Sequence, residues 1–592
     1  MLQSLRETPA GQLIRLASRG RFLRYNGDVD GVEVLKNRKA QPRDDLPAVP
    51  VEVEADPEVL ARKGTNVDDV IIVDWYSPTD EDNPRNFSTH KKLWIGFVIF
   101  LYTFIIYCAS AITVPSYPYI APRHGLSETP VSLILALYVL GYALGPLIAA
   151  PMSEIPWIGR NLPYWVSFIP FLIISIVLTQ IQDLNFATIC VLRFLQGYFG
   201  SPILATGAAS YDDIFDEFSS PYGYMLWLGA MYAGPAVGPL LSGYAVVKEF
   251  RWPYWEVAIM AAALVPLILL LPETSSDYIL LQRAKRLRKL TGDLKYRARS
   301  EIKEVPVAKI FVDALMKPTE IAVKDPAIGF VTIYGGIVYA TYYSFFEAFP
   351  LVYYERYHFS LGAIGLIFLT VIVGSLSCAC IYAIYLQYHF IPYARAEVDK
   401  FAAANASSDS VNDTITRANS QSDPEAQLKL QLSRVPTATG ARPHINQAVP
   451  QESWLLPSIP FSFLCPAGLF LFAWTSVATN ASGDPRFSWI VPTIGIGLFS
   501  GGSYVVFQCT IIYISLSYRR YFASLSAAYD MSRGSLAAGV VMGSRAVFVS
   551  WGVDNGVSLL AGISAAGVVG MWFLWWYGGV LRSKSRFAEK QS

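Results

Sequence analysis

The sequence predicts an all-α polytopic membrane protein with about twelve transmembrane helices in two six-helix bundles. Three observations predict it. First, 53% of the 592 residues are hydrophobic and only 16% are charged, where a soluble domain carries about 25% charge. Second, apolar windows of about 20 residues, the length that crosses a bilayer core, recur along the chain. They fall at 93–113, 130–150, 163–182, 186–207, 222–246 and 254–272, then at 328–352, 360–386, 455–478, 488–516, 522–550 and 556–580. Third, a charge-rich stretch, 273–327, divides these windows six and six.

Charge asymmetry orients the spans. Arg283, Lys285, Arg286, Arg288 and Lys289 follow span 6 directly, and such clusters mark the cytoplasmic side. Arg519, Arg520, Arg582, Lys584 and Arg586 reach the same side, so both termini are expected to be cytoplasmic. The chain then divides into an N-terminal cytoplasmic region (1–92), a first bundle (93–272), a central loop (273–327), a second bundle (328–580) and a tail (581–592). Segment 390–453 is polar and aperiodic, and is expected to be a disordered cytoplasmic insertion. No signal peptide is expected, because the first apolar stretch begins near Leu93. Arg6, Arg15, Arg19, Arg21 and Arg24 among leucines predict an amphipathic helix on the cytoplasmic membrane face. Of the sequons, only Asn480-Ala481-Ser482 maps to an outer loop, as a possible glycosylation site.

Several chemistries find no residues. Five scattered histidines and six cysteines in apolar stretches, without zinc-ligand spacing, predict no metal and no cofactor. No GxxxxGK[ST] or GxSxG is present, so neither a nucleotide nor a serine nucleophile is expected. A net charge of +1 gives no reason to expect nucleic acid.

Four motifs stand out. Between spans 2 and 3 lie Ser153, Glu154, Gly159 and Arg160, an acid at a helix end before a Gly-Arg turn. Such a pair can latch two helix ends in one conformation. In span 4, Arg193 and Gln196-Gly197 sit within apolar sequence. A guanidinium there costs several kcal/mol unless it faces a partner or a cavity, or snorkels to the nearby outer surface. In span 5, Gly234, Gly238 and Ser242 recur every fourth residue, with Pro235, Pro239 and Gly243 among them. A bare face of this kind lets another helix approach closely, while the prolines bend the span. Before span 1, Asp74-Trp75 and Asp80-Glu81-Asp82-Asn83-Pro84 read as turns.

Together these motifs resemble the major facilitator superfamily, and within it the twelve-span fungal drug:proton antiporters of the benomyl/methotrexate-resistance branch. Pro272-Glu273-Thr274 and Phe346-Glu347-Ala348-Phe349-Pro350 are similar to that family as well. The resemblance covers spans 1 to 12. Ala150 stands where the general loop pattern has Gly. The resemblance implies a monomeric plasma-membrane antiporter, with Arg193 in proton coupling, Glu154, Gly159 and Arg160 as a cytoplasmic gate, and Gly234 to Gly243 as the antiporter helix.

Proton coupling needs a titratable group within the membrane. Glu347, beside Tyr342, Tyr343, Phe345 and Phe346, is the first candidate, with an interfacial anchor as the alternative reading. Asp530 and Arg533 lie one helical turn apart and are expected to pair, as a structural contact more than a transport one. Tyr138, Trp227, Tyr232, Tyr339, Tyr343 and Gln196 are candidates for lining a substrate cavity, since flat rings bind apolar and cationic ligands without strict geometry. The expected function is proton-coupled export of small, largely apolar molecules, with lipid, protons and substrate as the partners. An uptake permease of the same fold is the rival, and a membrane-embedded enzyme or receptor a more distant one.

Overall fold

All twelve stretches read as spans are helical in the computed structural model, which describes residues 8–17, 70–302, 306–404, 445–480, 484–518, 522–585 and 587. The helices are α1 (Pro9–Ala17), α2 (Thr89–Ala111), α3 (Thr129–Glu154), α4 (Asn161–Leu178), α5 (Phe186–Gly200), α6 (Pro202–Ile214), α7 (Ser220–Ala245) and α8 (Trp252–Leu269). They continue as α9 (Ser276–Thr291), α10 (Val307–Lys324), α11 (Pro326–Phe349), α12 (Leu361–Ala404), α13 (Ser458–Val477), α14 (Ile490–Ser517), α15 (Phe522–Trp551) and α16 (Val553–Lys584). Among the described residues, nine helices are long and apolar enough to cross a membrane, or ten if the bent pair ending at Tyr354 is one span. The stretches outside that count are α5–α6, which carries Arg193, Asp212 and Asp213, and the glycine- and proline-rich α7. Their low hydropathy is the cost of polar and small residues that the fold uses.

Packing follows the small residues. In one half of the molecule α2 packs on α7, α3 on α5, and α4 on α5 and α8. In the other, α11 packs on α15, α14 on α12 and α13, and α13 on α16. The halves meet where α15 crosses α3 and where α7 crosses the start of α12. A Cβ on Gly141 would lie 2.1 Å from the Phe194 carbonyl oxygen, and one on Gly374 would lie 2.1 Å from that of Gly497. These backbones touch because no side chain intervenes.

Residues 390–404 differ from the disordered segment expected of them. They extend α12 to 44 residues, carried by the apolar Phe390, Ile391, Ala394 and Val398, which are buried. Residues 445–455 also form short helical turns. The remainder of that segment, and Arg6, Arg19, Arg21 and Arg24, lie outside the described residues. Asn480 is exposed, and its N–H donates to the Asp484 carbonyl at 2.9 Å; Ala481 and Ser482 lie outside the described residues.

The segment before α2 is a docked strap. Ile71–Ile72 pairs in parallel with Tyr296–Arg297, and Val73 is buried against Leu281, Ala284, Leu287 and Tyr296. Arg283 of α9 is buried beneath it. Its guanidinium donates to Asp80 at 2.7 and 3.1 Å and to Asp82 at 2.9 Å, and lies 4.0 Å from the Tyr76 ring centre. The carboxylate-rich turn before span 1, which showed no chemistry as sequence, is the receptor for one arginine after span 6.

Candidate functional site

Arg193 lies wholly inside the first half and does not snorkel. It is held by α2 and α3: Nη2 donates to the carbonyls of Ala109 (3.0 Å) and Ser110 (2.9 Å), and Nε donates to Ile134 (3.3 Å). Nη1 donates to Gln196 Oε1 at 2.7 Å, and the Tyr138 ring lies beneath it at 4.3 Å. Gln196 in turn donates to Ser175 of α4 at 2.8 Å. No carboxylate of the described residues pairs with Arg193. Carbonyl oxygens at the end of α2 satisfy the charge instead.

The loop after α3 is fixed by acids other than the one expected. Arg160 Nε pairs with Asp213 Oδ2 at 3.1 Å, and Nη1 donates to Ser153 Oγ at 2.9 Å. Glu154 is exposed and makes no ion pair within 4 Å among the described residues. Its place is taken by Asp213 because the chain between Glu154 and Gly159 turns Arg160 toward the end of α6. Gly159 permits that turn at φ +73°. The Glu273 carboxylate, buried after α8, accepts from the backbone N–H groups of Arg160 (2.9 Å), Asn161 (3.2 Å), Thr274 and Ser275 (3.0 Å each). Burial raises its pKa, and these four amides pull it partly back. Adjacent acids ending an apolar stretch, as Asp212-Asp213 do, were the signal for this partner.

The glycines of α7 do what their spacing predicts. A Cβ at Gly234 would meet Tyr107 Cβ at 2.7 Å and the Phe104 carbonyl at 2.8 Å; at Gly238 it would meet Ile112 N at 2.9 Å. At Gly243 it would meet the Leu361 carbonyl at 2.7 Å, so the same helix contacts α2 with one end and α12 with the other. Pro235 and Pro239 lie inside α7, and the Pro239 carbonyl faces Gly365.

Between the halves lies a layer of tyrosines around one ion pair. Arg533 Nη2 pairs with Asp530 Oδ1 at 2.7 Å, donates to the Tyr107 hydroxyl at 2.9 Å, and lies 4.7 Å from the Tyr339 ring centre. Both charged residues are buried, and Asp530 Oδ2 has no hydrogen-bond partner among the described residues. Tyr339 shares a 2.6 Å hydrogen bond with Tyr142, Tyr343 a 3.2 Å one with Ser110, and Tyr232 donates to Ser503 at 2.9 Å. Every one of these crosses from one half to the other. Tyr232, Tyr339 and Tyr343 are thus brought together. Tyr138, Gln196 and Trp227 are not: they pack within the first half, Trp227 against Gly207. Tyr107, Tyr142 and Tyr504 join the layer without having been singled out, and so does Tyr342, which the sequence marked only as a neighbour of Glu347. Tyr142 follows Tyr138 by one helical turn, a spacing that marks it.

Glu347 lies toward the other membrane face from Arg160. It is buried, 3.8 Å from Arg545 Nη1, and lines a cavity of about 270 Å³ with Pro239, Phe346, Phe368 and Tyr117. It is therefore no interface anchor at the lipid surface. Its cavity is formed by both halves.

Comparison with known proteins agrees with this architecture. The family model described as Major Facilitator Superfamily matches residues 99–391. The MFS-type transporter pyvG of Aspergillus violaceofuscus is 39% identical over 522 residues, covering 88% of this chain and 86% of the relative. Fluconazole resistance protein 1 of Saccharomyces cerevisiae is 30% identical, with 88% and 86% covered. The crystal structure of the human organic anion transporter MFSD10 superposes with a TM-score of 0.52 at 14% identity, over 81% of this chain and 99% of that one, and so shares the fold. Fungal transporters of this kind are the ones the four motifs resemble, and with such identity along most of each relative, the chain belongs to the major facilitator superfamily of membrane transporters.

Proposed function

We propose that the protein exports small, largely apolar molecules in exchange for protons, by alternating access, from a plasma membrane with both its termini in the cytoplasm. The observation that carries the reading is the Asp530–Arg533 pair. It lies between the halves, and its guanidinium also donates to Tyr107 of the opposite half. Protonating Asp530 removes one charge of the pair and weakens its hold on Arg533. A proton arriving there changes a contact that must rearrange when the halves rock. Glu347 is the second proton carrier, since its cavity faces the outer side and pairs it with Arg545. Arg193 acts as a positioning residue, tying α5 to the ends of α2 and α3. Arg160, with Asp213 and Glu273, holds the inner face closed. Tyr232, Tyr339, Tyr342 and Tyr343 supply the aromatic surface for the cargo. The relatives named for resistance to fluconazole and other drugs support an azole-sized, apolar substrate.

The test is cellular accumulation of labelled fluconazole in yeast lacking its own efflux pumps. Expression should lower accumulation, and a protonophore should restore it. Asp530→Asn should reach the surface and lose most of the pH-dependent efflux. Export that continues undiminished with the proton gradient collapsed sinks the coupling, and net accumulation on expression favours an uptake permease instead.

A further inference from the structure

The strap turns outward once before its clamp. The Asp80 N–H donates to the Ser77 carbonyl at 3.1 Å, which closes a turn with Pro78 and Thr79 at its centre. Both central residues are exposed, and the Thr79 hydroxyl shares a 3.2 Å hydrogen bond with that of Ser77. Asn86 pins the turn from behind, its side-chain amide donating to the carbonyls of Pro78 (2.7 Å) and Asp80 (3.0 Å). The residues after Thr79 are Asp80, Glu81 and Asp82. Asp80 and Asp82 grip Arg283, whereas Glu81 is exposed. The clamp thus sets two carboxylates against one guanidinium, an excess of negative charge before any is added.

We propose that Thr79 is phosphorylated by an acid-directed serine/threonine kinase, and that the phosphate releases the strap from α9. A kinase of this class selects a hydroxyl followed by carboxylates, through charge pairing with its own cations, and Thr79 precedes three acids in succession. In the transfer the Thr79 Oγ1–phosphorus bond forms and the bond from the γ-phosphorus of ATP to its bridging oxygen breaks. ADP departs, and the hydroxyl proton passes to the kinase base. Two features couple the modification to docking. While the strap is docked, Arg283 holds carboxylates that the kinase reads, so the enzyme and α9 compete for the same groups. Once attached, the phosphate brings about −2 charge beside those acids. Arg283 is buried beneath the strap and already engaged, so like-charge repulsion prevails. Release bares Val73 and its socket of Leu281, Ala284 and Leu287 on α9. The proposal rests on the cytoplasmic placement of this segment, on the side where kinases meet ATP.

The experiment incubates the full chain, purified in a non-ionic detergent, with casein kinase 2 and magnesium ATP, and maps the phosphate by peptide mass spectrometry. Phosphate is expected on Thr79 and should be lost in Thr79→Ala. Two variants loosen the strap by different contacts: Arg283→Ala through the clamp and Val73→Ala through the apolar socket. Each should raise the initial rate about fivefold or more, and Val73→Ala alone serves if the arginine variant elutes abnormally on gel filtration. Hydrogen exchange over 70–76 should rise about tenfold in the phosphorylated chain, from the repulsion of a dianion about 6 Å from a carboxylate in water, while α2 stays protected. The proposal fails if phosphate goes to Ser77 instead, if neither the wild type nor the loosened variants take it up at Thr79, or if the modified chain exchanges as the unmodified one does. The cytoplasmic reading is tested apart. Thr79→Cys in intact cells should resist a membrane-impermeant maleimide until the cells are permeabilised, and labelling from outside overturns that reading whatever the kinase does to the purified chain.

Discussion

Replacing Gly238 by alanine adds one methyl group at a close backbone contact between α7 and the end of α2. That methyl would lie 2.9 Å from Ile112 N, 3.0 Å from the Cys108 carbonyl oxygen and 3.1 Å from Ile112 Cα. All three are backbone atoms of another helix, so no side chain can swing aside. Restoring an ordinary carbon contact moves the helices apart by about 0.7 Å, and overpacking of this kind costs about 1–3 kcal/mol. The better helix propensity of alanine returns about 1 kcal/mol, leaving a net loss of up to about 2 kcal/mol. Gly229, two and a half turns earlier on α7, is the internal control. Nothing lies within 4 Å of a Cβ placed there, so Gly229→Ala keeps the propensity gain alone. The two alanines should therefore shift thermal stability in opposite directions. Heating the detergent-solubilised variants and measuring the surviving monodisperse fraction reads the sign directly. If Gly238→Ala is stabilised as Gly229→Ala is, the α2–α7 contact is not the steric constraint described.

Other variants address the charged contacts. Arg283→Ala leaves the Asp80 and Asp82 carboxylates buried under the strap without their guanidinium. It should cost that docking about 3 kcal/mol, seen as fast hydrogen exchange over 70–76 while α2 stays protected. The strap should also respond to acid. Burial alone would raise the Asp80 pKa, but the Arg283 guanidinium and two backbone amides bring it below the usual carboxylate value. Its contribution is full above the unfolded value of about 3.9 and fades as pH falls through the lowered one, so exchange over 70–76 should rise only below about pH 4; a rise between pH 6 and 5 contradicts the assignment. Asp213→Asn should weaken the hold on Arg160 and raise labelling of a cysteine placed at Ser153 from the inner side, whereas Glu154→Gln should leave it near the wild-type level. Arg193→Lys should not rescue Arg193→Ala, because one ammonium group cannot reach the Ala109 and Ile134 carbonyls together; expression and melting temperature measure this, and a fully stable lysine variant contradicts it.

What the sequence carried was periodicity and composition. Windows of apolar residues predicted the twelve apolar helical stretches but not α9 and α10 in the charge-rich segment between them, and fourfold glycine spacing predicted which face of α7 lies bare. Such signals are local to one helix. The pairing of charges is not, because it depends on how separate helices rotate against each other. Arg160 had an acid six residues away in sequence, yet its partner is Asp213, 53 positions along, since the Gly159 turn aims it there. Asp530 and Arg533 were legible as a pair from one helical turn, but nothing within α15 signals that Tyr107 completes it. For 390–404, the polar average of a longer segment hid four apolar residues at helical spacing.

The clamp between Asp80 and Arg283 has a mechanical consequence. The two residues are 203 positions apart, one before α2 and the other after α8. The chain between them holds the helices from α2 to α8, so the clamp ties off a ring. A ring offers no loose end from which helices can peel. Force on the N-terminal region is passed to α9 and bypasses α2, and α2 and α8 cannot drift apart at the strap while the knot holds. Any motion of this half against the other would carry it as a single closed body.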